Sequence, residues 1–176
     1  MSVFISYRHT DRNTAIQIAH EFNTNNVDYY LDVIDDESKS TEDITEVITK
    51  NIKKSTHLLA IISPTTSGSW WVPFEIGQAT VSNRRICSYA VSNSSLNLSG
   101  MSFRFLSNFL PEYLRKWPVL VSKMDLDKFI EQYKRDTRSS IGEGFESRRN
   151  KSESFSRSEL TKSGADAFHD ALKMRL

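Results

Sequence analysis

The chain of 176 residues is 38% hydrophobic and 26% charged, which is typical of one globular domain large enough to bury a core. Its formal net charge of +1 excludes a global electrostatic field that would recruit nucleic acid or an anionic membrane. The single cysteine, Cys87, excludes an internal disulfide framework and suits a reducing compartment.

We expect no metal, nucleic-acid or membrane partner. The four histidines and Cys87 lack the spacing of metal ligands, and Cys87 is expected to be a packed thiol within a strand. The sequence enters an apolar segment at Val3 without the basic and long apolar regions of a signal peptide. No apolar run approaches the ~20 residues of a membrane helix. These features predict a cytoplasmic protein.

Strand and helix signals alternate along the chain and predict an α/β fold. The apolar runs 3–7, 28–33, 58–62, 86–91 and 119–121 are predicted strands. Helical spacing marks residues 11–25, a segment around 44–52, a segment beginning at Pro73, and residues 125–137. We expect a mainly parallel sheet with helices on both faces. A serine-rich loop or linker is predicted over 138–163, followed by a C-terminal helix at 164–176 that packs on the domain formed by residues 1–137.

Polar segments follow three of the predicted strands. In parallel sheets of this kind, ligands bind outside the carboxyl ends of the strands. Arg8, the acidic pair Asp35 and Asp36, and residues 69–75 are therefore expected around one cleft. The cluster of Asp35, Asp36 and Glu37 is compatible with a cation site, although a solvated loop is the simpler interpretation.

Glu75 is the candidate catalytic acid because it stands among apolar neighbours such as Phe74 and Ile76. If Pro73 takes the first helical position, which suits proline, Glu75 is the third residue of the helix. The helix dipole there favours an ionised carboxylate. The structural alternative is a capping-box glutamate, but that motif needs Ser or Thr three residues earlier, where this chain has Val72.

The residues around this acid each allow a functional and a structural interpretation. Trp70 and Trp71 should point in different directions, one into the core and the other toward the cleft, unless both are core residues, as is common for tryptophan. Ser69 either donates to a ligand or shapes the turn. Arg8 either binds a phosphate or pairs with an acid. The N-cap of the first helix is expected to be Asp11, with Thr10 as the alternative.

Two segments taken together resemble the Toll/interleukin-receptor (TIR) domain family. Residues 3–11 are similar to the opening box of the family. Residues 58–64, followed by Ser69, Trp71 and Glu75, are similar to its third strand and its serine–tryptophan–glutamate motif. The matching elements follow one another in the order expected of the family.

The resemblance implies a flavodoxin-like fold with five parallel strands, to which the C-terminal helix is an addition. It implies that Glu75 is the catalytic glutamate of an enzyme that cleaves NAD, which is the substrate and not a cofactor, at the nicotinamide–ribose bond. The loop containing Asp35, Asp36 and Glu37 is implied to gate the site and to mediate TIR–TIR self-association. The substrate-binding positions that it implies are Ser6, Tyr7, Arg8, Ser69 and Trp71. The spacing of its motif thus assigns Trp71 to the site and leaves Trp70 as the core residue of the pair.

The chemistry that the family implies is reasonable for a single carboxylate. Nicotinamide leaves a cationic pyridinium as a neutral base, so no general acid is needed where glycosidases use two carboxyl groups. We therefore predict a stand-alone, bacterial-type TIR enzyme that makes ADP-ribose, or a cyclic ADP-ribose signal for a separate effector, in antiviral defence. Two alternatives stay open: a non-catalytic adaptor that acts through TIR–TIR assembly, and a nucleoside deoxyribosyltransferase-like enzyme.

Overall fold

A computed structural model describes residues 1–31, 44–91, 110–147 and 160–176, with the backbone alone over 139–147. The predicted gating loop with Asp35, Asp36 and Glu37 lies outside the described residues. So do residues 92–109 and 148–159.

The described strands form a five-stranded sheet in the order β2-β1-β3-β4-β5, and every pair is parallel. This is the strand order of flavodoxin-like folds, in which the topological switch point lies between the first and third strands. The predicted fold class is confirmed. The strands are β1 (Val3–Ser6), β2 (Tyr29–Leu31), β3 (His57–Ile62), β4 (Arg85–Ala90) and β5 (Val119–Leu120).

Helices connect the strands and extend beyond the last one. Short 3-10 helices at His9–Asp11 and Thr66–Gly68 precede α1 and α3, and a third lies at Glu112–Lys116. The α-helices are α1 (Arg12–Thr24), α2 (Ile44–Lys54), α3 (Trp71–Val81), α4 (Lys123–Ser147) and α5 (Lys162–Lys173).

The end of α4 corrects the prediction of a loop beginning at residue 138, because the helix continues to Ser147. Serine lowers helix propensity only modestly, and Gly142 and Gly144 lower it by about 1 kcal/mol each, so a helix that is already anchored by a buried apolar face can continue through these residues. The C-terminal helix α5 begins at Lys162 because the hydroxyl of Thr161 accepts the backbone N–H of Gly164 at 3.1 Å, which satisfies one of the free donors at a helix start.

Apolar side chains cover both faces of the sheet. On one face, Phe22 of α1, Phe129 of α4 and Phe168 of α5 pack in one cluster. On the other face, Ile48 of α2 and Ile76 of α3 belong to a second cluster. All of β3 is buried, as its continuous apolar run predicts for a strand covered on both sides. The expected packing of the C-terminal helix against the body is observed.

Two buried histidines are kept neutral by this fold. Nε2 of His169, on α5, accepts the backbone N–H of Ile86 at 2.8 Å, and burial lowers the pKa of His169 to about 4. His57, the first residue of β3, is fully buried. Burial, and then the charge of Arg85, lower the pKa of His57 well below its ordinary value. Both rings therefore resist protonation while the chain is folded.

Acidification from pH 7 to pH 4 is expected to lower the free energy of unfolding. The unfolded chain protonates His169 near pH 6.5, whereas the folded chain does so only near pH 4. The stabilisation is thus present above pH 6.5 and is lost as the pH falls through this window, by about 3 kcal/mol for this residue. Urea unfolding across the range measures it. His169→Gln should flatten the dependence, and an unchanged slope would contradict the account; the exposed His20→Gln is the control.

Within the described residues, no helix is long and apolar enough to cross a membrane.

Candidate functional site

The hydroxyl of Ser6 and the carboxylate of Glu75 meet at the carboxyl end of the sheet. Ser6 is the last residue of β1 and is in register with Ala60 of β3. Its Oγ donates a hydrogen bond to Oε2 of Glu75. Both residues are buried, since Ser6 is 0% and Glu75 2% exposed. The contact lies at the switch point, where this class of sheet binds ligands.

The pattern of α3 explains why Glu75 points inward. Val72, Ile76 and Ala79 are buried on the face of α3 that packs on the sheet, and residues three and four positions apart share one face of a helix. Glu75 lies on that same face and is buried with them. A buried carboxylate needs a hydrogen-bond partner, and Ser6 supplies one.

Helix α3 begins at Trp71, two residues before the predicted start at Pro73. Proline is tolerated at the third helical position, because the first four N–H groups of a helix have no intrahelical acceptor. Ser69 accounts for the early start, since its Oγ accepts the backbone N–H of Val72 at 3.3 Å. Glu75 is consequently the fifth helical residue, where the dipole effect has weakened. The hydrogen bond from Ser6, and not the helix dipole, is therefore the contact that stabilises the carboxylate of Glu75.

The two tryptophans differ from the prediction in one respect. Trp70 is 90% exposed, so its predicted place in the core is wrong. It precedes the first helical residue and lies outside the buried face of α3. Trp71 is 40% exposed, and its ring packs edge-on against Phe74 with centroids 6.0 Å apart. Trp71 is therefore partly open to solvent, and its place at the cleft and its role toward a ligand stay predictions.

Side chains tie the loop after β1 to the loop after β3. Nη1 of Arg8 donates to the backbone carbonyl of Thr65. The Asp11 carboxylate accepts from Oγ of Ser63 at 2.8 Å, and the hydroxyls of Thr10 and Thr65 lie 2.9 Å apart. These contacts hold the two loops of the switch point together beside Ser6 and Glu75.

Asp11 is not the side-chain cap that the sequence predicts. It occupies the N-cap position of α1 but makes no capping hydrogen bond, because its carboxylate is engaged by Ser63 across the switch point. Burial raises the pKa of Asp11, although the hydrogen bond from Ser63 and the charge of Arg8 act in the opposite direction. One interpretation of Arg8 was that it pairs with an acid. Its positive charge does lower the pKa of Asp11, while its guanidinium donates to the carbonyl of Thr65.

Gly68 lets Arg8 approach its loop closely. A Cβ atom at Gly68 would lie 3.0 Å from Nη1 of Arg8, which is too close unless the guanidinium shifts. Tyr7, between Ser6 and Arg8, is partly buried against the apolar cluster of α1. Among the predicted site residues, the structure thus places Ser6 on Glu75 directly and uses Arg8 as a link between loops.

Sequence reasoning missed Ser63 and Thr65 as members of this region. The available signal was their position, because they follow β3 directly and β3 is the neighbour of β1 in the sheet. In the described parts of the chain, no group of three or more potential ligands could hold a metal ion. Cys87 is buried in β4, and burial raises the pKa of its thiol well above the ordinary value, as a packed thiol requires.

Comparison with known proteins gives a family match and a likeness of fold. A sequence model described as "TIR domain" matches residues 3–107, a range that contains both Ser6 and Glu75. No curated protein matches the sequence.

Similar solved structures include the TIR domains of the activated Roq1 resistosome, which directly recognises the pathogen effector XopQ. That chain is 19% identical with a TM-score of 0.42, and the alignment covers 51% of this chain and 56% of that one. A metazoan TIR-STING receptor from C. gigas is 19% identical with a TM-score of 0.47, covering 73% of this chain and 38% of that one. The chain thus spans little more than half of the first and well under half of the second.

Proposed function

The chain belongs to the TIR domain family, and we propose that it is an enzyme that consumes NAD by cleaving the nicotinamide–ribose bond at Glu75. The observation that carries this proposal is the buried Ser6–Glu75 hydrogen bond at the switch point of the sheet. A carboxylate held among apolar residues at a ligand-binding edge is a costly arrangement for stability alone.

The proposed role of Glu75 is electrostatic. When the bond between the anomeric carbon and the pyridinium nitrogen breaks, its electron pair leaves with nicotinamide as a neutral base. The positive charge that remains on the ribose is stabilised by the nearby carboxylate, which also accepts hydrogen bonds from the ribose hydroxyls. Water then adds to the anomeric carbon and releases one proton, which gives ADP-ribose. If water is excluded, the adenine or a hydroxyl of the same molecule attacks instead and gives a cyclic product.

Access to Glu75 is part of the proposal. A carboxylate that is 2% exposed cannot contact NAD until the residues that cover it move. The loop predicted to gate the site contains Asp35, Asp36 and Glu37. We propose that self-association through TIR–TIR contacts promotes this opening. The reaction then acts in antiviral defence either by depleting NAD or by making a nucleotide signal for a separate effector. A cytoplasmic site of action suits the free thiol of Cys87.

Ser6→Ala is expected to reduce NAD cleavage by about 10- to 100-fold, because the carboxylate loses the donor that fixes its position. Steady-state kinetics should show the loss mainly in kcat if Ser6 positions Glu75 for the transition state. Ser6→Thr retains the hydroxyl and should recover part of the activity. Full activity in Ser6→Ala would exclude a positioning role for this residue.

The proposal is tested by incubating the protein with NAD over a wide range of protein concentrations and measuring NAD loss. A rate that rises more steeply than the protein concentration would support activation by self-association. A parallel incubation with a deoxynucleoside and a free base tests for a deoxyribosyltransferase. Base exchange without NAD loss would replace the proposal by that enzyme class, and absence of both reactions throughout the range would favour the adaptor.

A further inference from the structure

A cavity of about 620 Å³ opens at the opposite edge of the sheet from Glu75. It lies where the end of α3, the start of β4, the 3-10 helix at Glu112–Lys116 and α5 come together. We call it the amino-edge cavity, since Arg84 on its wall directly precedes β4. Its volume is in the range of small-molecule sites in proteins.

Arg84 is a buried cation whose donors are mostly unused. It is 6% exposed, and Nη2 donates to the backbone carbonyl of Lys53 at 2.9 Å. Within the described residues, Nε and Nη1 have no hydrogen-bond partner. Burial, followed by repulsion from Arg85, lowers the pKa of Arg84. The surroundings thus disfavour this charge, and unmet buried donors of a charged group are costly.

The rim of the amino-edge cavity is positively charged. Lys116, Lys162 and Lys173 line it together with two carboxylates, Asp166 and Asp170. Among the described residues that line it, Arg84 included, the cations outnumber the anions by four to two. The remaining titratable group of the lining, His169, is neutral near pH 7 because burial lowers its pKa to about 4.

Two of the lysines are held near the opening. Nζ of Lys116 lies over the ring of Trp117, 4.2 Å from its centroid. Nζ of Lys173 donates to the backbone carbonyl of Lys116, which joins α5 to the 3-10 helix on the other side of the cavity. Lys173 is therefore held by a contact between two elements, and Lys116 by the ring of its neighbour.

We propose that the amino-edge cavity binds a small molecule that carries phosphate groups. The phosphate oxygens would accept from the Arg84 guanidinium after a rotation of that side chain, and Lys116 and Lys162 would contribute charge from the rim. This binding does not depend on Glu75, which lies at the other edge of the sheet. The site is separate from the proposed NAD site and would be occupied whether or not NAD is cleaved.

Isothermal titration of the full chain with inorganic pyrophosphate tests this site. The wild type is expected to bind one pyrophosphate per chain, and Arg84→Gln to weaken binding by about 10-fold or more, since a charge-assisted hydrogen bond is lost. The matched control is Lys50→Gln, which removes one positive charge from an exposed position on α2 and should leave affinity unchanged.

A second variant tests the site independently, in case Arg84→Gln does not fold. The double substitution Lys116→Gln and Lys162→Gln changes only exposed side chains and should also weaken pyrophosphate binding by about 10-fold. Titration with ADP distinguishes the source of the phosphate groups. Tighter, Arg84-dependent binding of ADP would indicate a nucleotide, and equal binding an inorganic ligand. Absence of Arg84-dependent binding of either probe, or equal weakening by Lys50→Gln, would overturn the proposal.

Discussion

Replacing Glu75 with glutamine is expected to lower the rate of NAD cleavage by about 1,000-fold, in line with the loss of a preorganised electrostatic group from a dry site. Glutamine has nearly the same shape, and its amide oxygen can still accept the hydrogen bond from Ser6. The substitution therefore removes the negative charge and little else. The rate of nicotinamide release measures the effect.

The matched control for this variant is Glu46→Gln, because Glu46 is an exposed carboxylate on α2. It should retain full activity. Both variants should unfold near the wild-type urea midpoint, so that loss of activity in Glu75→Gln cannot be attributed to unfolding. Equal rates for the wild type and Glu75→Gln would remove Glu75 from the mechanism.

Replacing Asp136 with asparagine is expected to destabilise the fold by about 3 kcal/mol, the lower end of what breaking a buried ion pair costs. The Asp136 carboxylate lies 2.6 Å from Nε of Arg85, and Arg85 is 3% exposed at the start of β4. The same carboxylate is 3.6 Å from Nε2 of the buried His57. Asparagine removes the charge that balances the guanidinium in this buried setting.

Asp127→Asn is the control on the same helix. Asp127 forms an ion pair with Lys123 at 3.2 Å, but the side chains are 49% and 63% exposed, so its loss should cost less than about 1 kcal/mol. Urea midpoints at constant slope compare the two variants. A cost for Asp136→Asn no larger than that for Asp127→Asn would contradict the account.

A double substitution separates the charge from the packing. Replacing both Arg85 and Asp136 with leucine removes the buried charge together with its partner, and such pairs can be exchanged for apolar residues at little cost. The double variant should therefore be more stable than Asp136→Asn alone.

Much of the sheet was predictable from the sequence because its central strands β1 and β3 are buried along their whole length. The run from Leu58 to Ile62 is continuously apolar, and a short apolar run between helical segments is typical of a buried strand. Periodicity does not determine strand order. The family resemblance implied only a flavodoxin-like fold with five parallel strands, and the order itself is read from the structure. The extent of α4 was missed because the serines and glycines after residue 137 were taken to end the helix. The helix is anchored earlier by buried residues such as Phe129 and continues through them to Ser147.

The sequence singles out Glu75 and Ser6 as candidate residues, but it does not reveal the contact between them. Glu75 was identified by its apolar neighbours, yet its partner Ser6 is 69 positions away in the sequence, and no local pattern joins them. Trp70 was misplaced because adjacent tryptophans were assigned by alternation, while the actual start of α3 decides which one is covered. Asp11 occupies the predicted N-cap position without capping the helix, because Ser63 engages its carboxylate from the loop after β3, a contact that local sequence does not reveal.

The most direct test of the central claim is to incubate the protein with NAD and resolve the products by chromatography, for the wild type and for Glu75→Gln. The account predicts free nicotinamide from the wild type in equal amount to ADP-ribose plus any cyclic ADP-ribose product, and almost none from Glu75→Gln. Intact NAD at protein concentrations high enough for self-association, or nicotinamide release that is the same in both proteins, would contradict it.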